Sequence, residues 1–291
     1  MGRRPDRFKA TYSGSAHLLD AVGAKYYASS FGQVSGLFIK CLRHLFDGLR
    51  DSHFPSQQVI SQIYFTGFEA VKLICIVSSL FGAVVVLEAL IMMPKVGFGD
   101  SFGNITVVII VRELGPILTA FLVAGRTGSG LATYIGNMQV ESEIDALKSM
   151  GVDPIKFLAL PALLGGIVSM IGLSIIFGFV AITAGYICGM IGIKVLHLNI
   201  ALDLQIYLNS IFNAMTVTDL FMIVIKPAFF GIFISMIACY KGLSLGNDSR
   251  LVPKAASETV VACFICIVLS DLVFLLFYLP EYMKQINSLG I

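Results

Sequence analysis

One apolar stretch restricts the fold of this chain more than any other feature. Residues 157–193 form a run of 37 amino acids without a charged side chain. As a helix rising about 1.5 Å per residue, the run would be about 55 Å long, whereas the hydrocarbon core of a membrane is about 30 Å thick. It is too long for one upright span and tight for a hairpin. We therefore interpret it as one long helix with a bend or an interfacial end.

Four further stretches are apolar enough to cross a membrane, for which a helix needs about 20 mostly apolar residues. They cover 71–93, 105–135, 221–240 and 259–280. Because lipid offers no hydrogen-bond partner to an unpaired backbone group, such spans are helical. The sequence therefore predicts an all-α integral membrane protein with five transmembrane helices. Six spans is the alternative, and it would move the C-terminus to the other side.

The distribution of basic residues orients the chain. Residues 1–72 contain nine Lys and Arg against five acidic residues, whereas the remainder contains eleven against thirteen. The positive-inside rule then places the N-terminus in the cytoplasm. Within a cytoplasmic region at 1–55, residues 31–50 carry apolar side chains at helical spacing, which is typical of an amphipathic helix lying on the membrane surface. A helix packed on another protein surface is the alternative, and the transmembrane domain follows at 56–291.

The sequence AGRTGSG at 124–130 raises the question of a phosphate-binding loop. It lacks the lysine of a nucleotide-binding P-loop and follows a membrane span instead of a strand. Small residues four apart on a helix instead allow two membrane helices to approach closely. We interpret one set of residues as a helix-packing surface: Gly125, Gly128, Ser129 and Gly130.

Four charged residues lie inside the predicted spans, where ionisable side chains are costly and by default mark function. They are Arg112, Glu113, Lys226 and Asp271. Two residues of each sign indicate mutual pairing in the bundle interior. The pairing is explained equally well by a functional cavity or gate and by an ion pair that fixes helix register. The scattered histidines and cysteines predict no metal site, and no catalytic set is present.

A short amphipathic helix is predicted at 137–150, between the second and third spans. It carries three acidic residues and one lysine, whereas helices that lie on a membrane surface are usually basic. This favours docking on a soluble protein partner over a membrane-surface position. The candidate docking residues are Val140, Glu141, Glu143, Ile144, Asp145, Leu147 and Met150.

A set of short motifs carries a resemblance to a known family. In order and spacing, they resemble the signature of the MlaE-type permeases, the membrane subunits of ABC transporters that work with MCE proteins. The motifs are VRELGP at 111–116, AGRTGS at 124–129, IGNM at 135–138, IDAL at 144–147 and MGVDP at 150–154.

The resemblance implies an N-terminal interfacial helix, five spans, and a homodimer in the bacterial inner membrane with a periplasmic C-terminus. It implies that residues 137–150 are a coupling helix for a cytoplasmic ATPase subunit, which would hold the ATP and magnesium. This chain would then contain no cofactor and would not itself be an enzyme. An MCE-domain protein on the periplasmic side and a phospholipid in a cavity between the two copies complete the implied assembly, without nucleic acid. The family places the four intramembrane charges near that cavity.

The sequence departs from the family pattern at a few positions. Thr133 and Tyr134 stand where the family usually has Ala-Glu, and Glu141-Ser142-Glu143 replaces the usual Thr-Glu-Gln. Three other functional classes remain as alternatives. One is an ion-coupled secondary transporter of a lipidic substrate, with protons carried by Glu113 and Asp271. The others are an intramembrane enzyme and a structural scaffold for the MCE protein.

Overall fold

The computed structural model describes residues 34, 36–39, 41, 43, 56–96, 106–195, 204–246 and 248–288. Every element within these ranges is helical, and no strand occurs among them. The predicted all-α membrane fold is therefore confirmed.

Seven helices, numbered here in chain order, are described from residue 56 onward, and several of them contain π-helical turns. Helix α1 covers 56–96 as Ser56–Ile63, the π-turn Tyr64–Phe68 and Glu69–Val96. Helix α2 covers 107–140 as Val107–Leu114 (π), Gly115–Val123, Ala124–Gly128 (π) and Ser129–Val140. The others are α3 at Glu143–Ser149, α4 at 155–195 (Ile155–Ala159 (π) and Leu160–Val195), α5 at Leu204–Ala214, α6 at Val217–Leu243, and α7 at Val252–Ser288 after the 3-10 turn Ser249–Leu251.

Four of the described helices are long and apolar enough to cross a membrane. They coincide with the first, third, fourth and fifth predicted spans and are Ser56–Ile91, Ile155–Val195, Val217–Leu243 and Ser249–Phe277. The second predicted span, 105–135, falls on α2, which packs against both α6 and α7. The total of five spans stays a prediction.

Helix α4 answers the question posed by the long uncharged run. Ile155–Val195 is one continuous helix of 41 residues, so no hairpin forms within it. At about 1.5 Å per residue the helix is about 60 Å long, twice the thickness of the hydrocarbon core. The predicted single long helix is confirmed, and its length exceeds what one upright crossing of a bilayer requires.

Glycine contacts join the helices of the bundle backbone to backbone. A Cβ atom added to Gly82 in α1 would lie 2.0 Å from the carbonyl oxygen of Ala181 in α4. A Cβ added to Gly231 in α6 would lie 2.8 Å from the carbonyl oxygen of Gly166. Small residues at these crossings let membrane helices approach to backbone contact.

Replacing Gly82 by alanine is expected to destabilise the fold by about 1–3 kcal/mol, because the new methyl group has to push two helix backbones apart. The measurement is the unfolding temperature of the purified protein in mild detergent. Gly172→Ala is the matched control, since a Cβ there meets nothing within 4 Å. Equal unfolding temperatures for the two variants would contradict the packing described here.

The glycine run in α2 packs differently from the prediction. A Cβ on Gly125 would meet nothing within 4 Å, and those on Gly128 and Gly130 would lie 3.4 Å from a methyl group of α6 and an aromatic ring of α1. The π-turn in this segment changes the spacing that would align small residues four apart. At Gly125, Gly128 and Gly130 the Cβ position therefore meets no backbone of another helix in the described chain, and close packing at Ser129 stays a prediction. Contact between helix backbones occurs instead at other glycines.

The described residues of the predicted N-terminal helix, within 34–43, are helical, and the rest of 31–50 lies outside the described residues. Cys41 is buried in an apolar cluster, and Leu37 and Phe38 pack against it. This apolar cluster also contains residues near one end of three helices: Leu131 and Ile135 of α2, Leu163 of α4, and Met236 of α6. Burial, with a smaller contribution from the Asp153 carboxylate, raises the pKa of the Cys41 thiol to about 11. One face of this segment therefore packs on the helices of its own chain, and both the membrane-surface position and the packing on another protein stay predictions.

Candidate functional site

Three helices meet at the ammonium group of Lys226. The Lys226 Nζ atom lies 2.7 Å from Glu113 Oε2 of α2 and 2.7 Å from Asp271 Oδ1 of α7. It also donates a hydrogen bond of 3.2 Å to the carbonyl oxygen of Arg112. The lysine side chain is 4% exposed. One buried cation on α6 thus connects carboxylates from two other helices.

A second buried ion pair adjoins the first. Arg112 Nε lies 2.5 Å from Asp219 Oδ1, with 5% and 1% of the two side chains exposed. The other oxygen of Asp219 accepts hydrogen bonds from the backbone N–H (2.8 Å) and the hydroxyl (2.9 Å) of Thr216. Thr216 is the N-cap of α6, and Asp219 is the third residue of that helix. The carboxylate that pairs with Arg112 is therefore fixed by the start of α6.

Local helix geometry lets two adjacent residues reach different partners. Arg112 and Glu113 lie in the π-helical segment Val107–Leu114, with Arg112 directed to Asp219 and Glu113 to Lys226. Segments of π-helix inside α-helices are rare and frequently occur at functional sites. The widened turn places both side chains among charges of opposite sign.

The five residues form what we call the charge cluster: Arg112, Glu113, Asp219, Lys226 and Asp271. Two cations and three carboxylates give a formal charge of −1 when all are ionised. The cations are at most 5% exposed, whereas Glu113 is 29% and Asp271 20% exposed. The accessible side of the cluster is therefore carboxylate. It suits the positive part of a ligand better than a negative one.

The segment after α2 is folded onto its own bundle. Helix α2 continues to Val140, a left-handed residue at Ser142 (φ 60°) turns the chain, and α3 covers only Glu143–Ser149. Ile144 is 1% exposed inside the apolar cluster, and Leu147 packs against that cluster.

These positions correct the prediction of a docking helix at 137–150 in which Ile144 and Leu147 face a partner. A seven-residue helix has to bury its apolar stripe, and its own bundle supplies the surface. Among the seven candidate docking residues, the exposed ones are instead Glu141, Glu143, Asp145 and Met150, of which Met150 is 68% exposed; Val140 is half-buried.

Residues 59–277, well over half of the 291-residue chain, match the family described as Permease MlaE. The chain belongs to the MlaE permease family. This MlaE permease is 33% identical to a probable ABC transporter permease protein of Rickettsia conorii over 213 residues, covering 73% of this chain and 80% of the relative. It is 28% identical over 209 residues to the intermembrane phospholipid transport system permease protein MlaE of Haemophilus influenzae, covering 72% and 77%. The resemblance seen in the sequence motifs is confirmed, and the chain is a multi-pass permease subunit of an ABC transporter.

Four of the five residues of the charge cluster are predicted by the sequence. The mutual pairing expected from two charges of each sign is present among Glu113, Lys226 and Asp271, while Arg112 pairs with Asp219. Asp219 was missed because it lies at the edge of an apolar stretch. The pattern Thr216-x-x-Asp219 is typical of a helix start, and a buried arginine without an assigned counter-ion is the signal that should have led to it.

Residues able to bind a metal do not gather in the described part of this permease. No group of three or more His, Cys, Asp or Glu side chains there has the geometry to hold a metal ion. Cys263 and Cys266 are spaced as a CxxC motif; Cys263 is fully buried and Cys266 is half-buried. Such thiols pack as small apolar groups.

Proposed function

We propose that this MlaE permease moves phospholipids or related lipids between the bacterial inner membrane and an MCE-domain partner on the periplasmic side. The energy comes from a separate cytoplasmic ATPase subunit, which binds ATP and magnesium. The observation that carries the proposal is the charge cluster: it is buried among membrane helices, yet two of its carboxylates remain accessible. The relative from Haemophilus influenzae, named as a phospholipid transport permease, supports the substrate class.

A homodimer completes the proposed transporter. The most apolar window of α7 is only 11% buried within one chain, against 33–44% for the other three candidate spans. Its exposed apolar side chains include Val268 and Leu272, on the helix that carries Asp271. A second copy packed along α7 would cover this surface and place two charge clusters around one lipid cavity.

Disulfide crosslinking in native membranes tests this homodimer. We expect Val268→Cys to give a crosslinked dimer, whereas Phe179→Cys on α4, the control, should stay monomeric.

The accessible carboxylates lead to a prediction about the headgroup. Because Glu113 and Asp271 face the ligand while Lys226 is buried, a zwitterionic headgroup with an ammonium group is favoured over a purely anionic one. We expect phosphatidylethanolamine to be transferred faster than phosphatidylglycerol in a reconstituted system. The double variant Glu113→Gln, Asp271→Asn should lose transport.

The matched control for that double variant is Glu69→Gln, which removes a carboxylate that pairs with Arg126 on the outside of the bundle and is 42% exposed. This variant should keep both the transport rate and the lipid preference. Full transport by the double variant would show that the cluster does not contact the headgroup.

Co-purification tests the proposed assembly. The tagged protein is isolated from native membranes in mild detergent, and its companions are identified by mass spectrometry. We expect a P-loop ATPase and an MCE-domain protein in near-stoichiometric amounts. A homodimer with bound lipid but no ATPase would instead support the ion-coupled carrier, the main alternative.

A further inference from the structure

A cavity of about 630 Å³ lies at the N-terminal end of α1, on different helix segments from the charge cluster. Its walls are residues 58–65 of α1, 130–137 of α2 and 157–161 at the start of α4. Small-molecule sites in proteins typically have volumes of about 300–1,000 Å³. The cavity is therefore large enough to hold part of a lipid.

The lining combines polar and apolar side chains, and none of its described residues is charged. Gln62 Nε2 donates to Thr66 Oγ1 at 3.1 Å, which holds the amide in place with its oxygen as an acceptor. Polar groups lie on the walls formed by α1 and α2, which also carry apolar side chains, whereas the wall from α4 is apolar. The polar residues are Gln58, Ser61, Gln62, Thr133, Tyr134 and Asn137, and the apolar ones include Phe65, Leu131, Phe157 and Leu158.

One exposed aromatic residue lines the cavity, and two more lie on the adjacent part of α1. Tyr134, which lines it, is 58% exposed, and on α1 Tyr64 and Phe68 are 57% and 67% exposed, with their rings stacked at 5.1 Å. Tyrosine is enriched where membrane helices cross the membrane–water interface. The first candidate span begins at Ser56, a few residues before these rings. Both features favour a position of the cavity near the membrane–water interface, where lipid headgroups and ester groups lie.

The described lining, which is neutral, favours an uncharged group over a phosphate. Lys156 directly precedes the lining residue Phe157 but does not itself line the cavity, and Arg126, one turn from Gly130, is paired with Glu69. A buried phosphate would need charge-assisted donors, and the described lining offers only neutral ones. Neutral hydroxyl and amide groups match the hydroxyl and ester oxygens of an uncharged glycerolipid.

We propose that this cavity binds an uncharged glycerolipid of the diacylglycerol class from the leaflet at this end of the bundle. Its hydroxyl and ester groups contact the amide and hydroxyl rim, and its acyl chains lie on the apolar wall. The site is separate from the charge cluster. Its occupancy requires neither ATP nor lipid transfer, so it stands or falls independently of the proposed function.

The chain contains no tryptophan, which allows a single-tryptophan experiment. Tyr134→Trp places the only indole at the cavity, and Tyr64→Trp places it outside the lining as the control. Each full-length variant is reconstituted into phosphatidylcholine vesicles containing a small fraction of brominated diacylglycerol. We expect at least twofold stronger quenching for Tyr134→Trp than for the control.

A filling substitution then separates bound lipid from bulk lipid. Ser61→Phe, added to Tyr134→Trp, should reduce the quenching to the control level. Ile60→Phe, on an adjacent residue that is 66% exposed and outside the lining, should leave it unchanged. Phe157→Trp is a second reporter if Tyr134→Trp does not fold. Equal quenching of reporter and control, insensitivity to Ser61→Phe, or equal quenching by brominated phosphatidylglycerol would each overturn the proposal.

Discussion

Replacement of Lys226 by methionine is expected to lower the free energy of unfolding by about 3–5 kcal/mol, the range for breaking one side of a buried ion pair. The substitution leaves the carboxylates of Glu113 and Asp271 in a largely buried position with no cation in contact. In the unsubstituted protein, one oxygen of each carboxylate lies 2.7 Å from the lysine Nζ atom. Thermal unfolding in detergent measures the loss of stability, and lipid transfer should fall to background in the same variant.

A triple variant separates stability from function. Lys226→Met combined with Glu113→Gln and Asp271→Asn removes the lysine together with the two carboxylates that it contacts. Replacing all partners of a buried ion-pair network by neutral residues is often tolerated. We expect most of the unfolding temperature to return while lipid transfer stays absent. Wild-type transfer by the triple variant would show that these charges only fix helix register. An unchanged unfolding temperature for Lys226→Met alone would contradict the claim that Lys226 forms buried ion pairs with Glu113 and Asp271.

Substitution of Met150 by aspartate is expected to remove the ATPase from the purified complex without unfolding the permease. Met150 is the most exposed large apolar side chain near α3, at 68%, whereas Ile144 is 1% exposed. Met150 ends the short helix that the proposed assembly assigns to ATPase coupling, so its exposed side chain is available for that contact. The measurement is the amount of ATPase that co-purifies, and we expect a loss of tenfold or more.

Ile144→Asp provides the comparison within the same segment. A buried aspartate on the apolar cluster should lower the unfolding temperature, and any loss of ATPase should follow from that damage. Val217→Asp, an exposed apolar position at the start of α6, is the neutral control. ATPase retention by Met150→Asp, together with ATPase loss by a fully stable Ile144→Asp, would restore the buried stripe as the docking surface.

The helical fold and the pairing of the intramembrane charges followed from the sequence because the solvent is lipid. A bilayer offers no hydrogen bonds to backbone groups and no hydration to charges, so the spans have to be helical and their charges have to pair. The uninterrupted helix over the uncharged run of α4 follows from the same constraint. Arg112, Glu113, Lys226 and Asp271 could therefore be selected by position alone.

Packing details could not be read from the sequence in the same way. An apolar stripe at Ile144 and Leu147 has to be buried, but periodicity does not say whether the same chain or a partner covers it. Likewise, the small residues at 124–130 suggested close packing, whereas the closest backbone approaches in the described chain are at Gly82 and at Gly166 with Gly231. Spacing rules assume a regular α-helix, and this bundle departs from it in several helices.

The most direct test of lipid transport is transfer from proteoliposomes. The permease, its co-purified ATPase and the MCE-domain protein are reconstituted with labelled phosphatidylethanolamine, and movement of the label between the bilayer and the MCE-domain protein is followed over time. We predict movement that requires ATP hydrolysis, stops with a non-hydrolysable nucleotide, and is lost in the Glu113→Gln, Asp271→Asn variant. Movement that proceeds without nucleotide and follows an imposed proton gradient would contradict the account and identify an ion-coupled carrier.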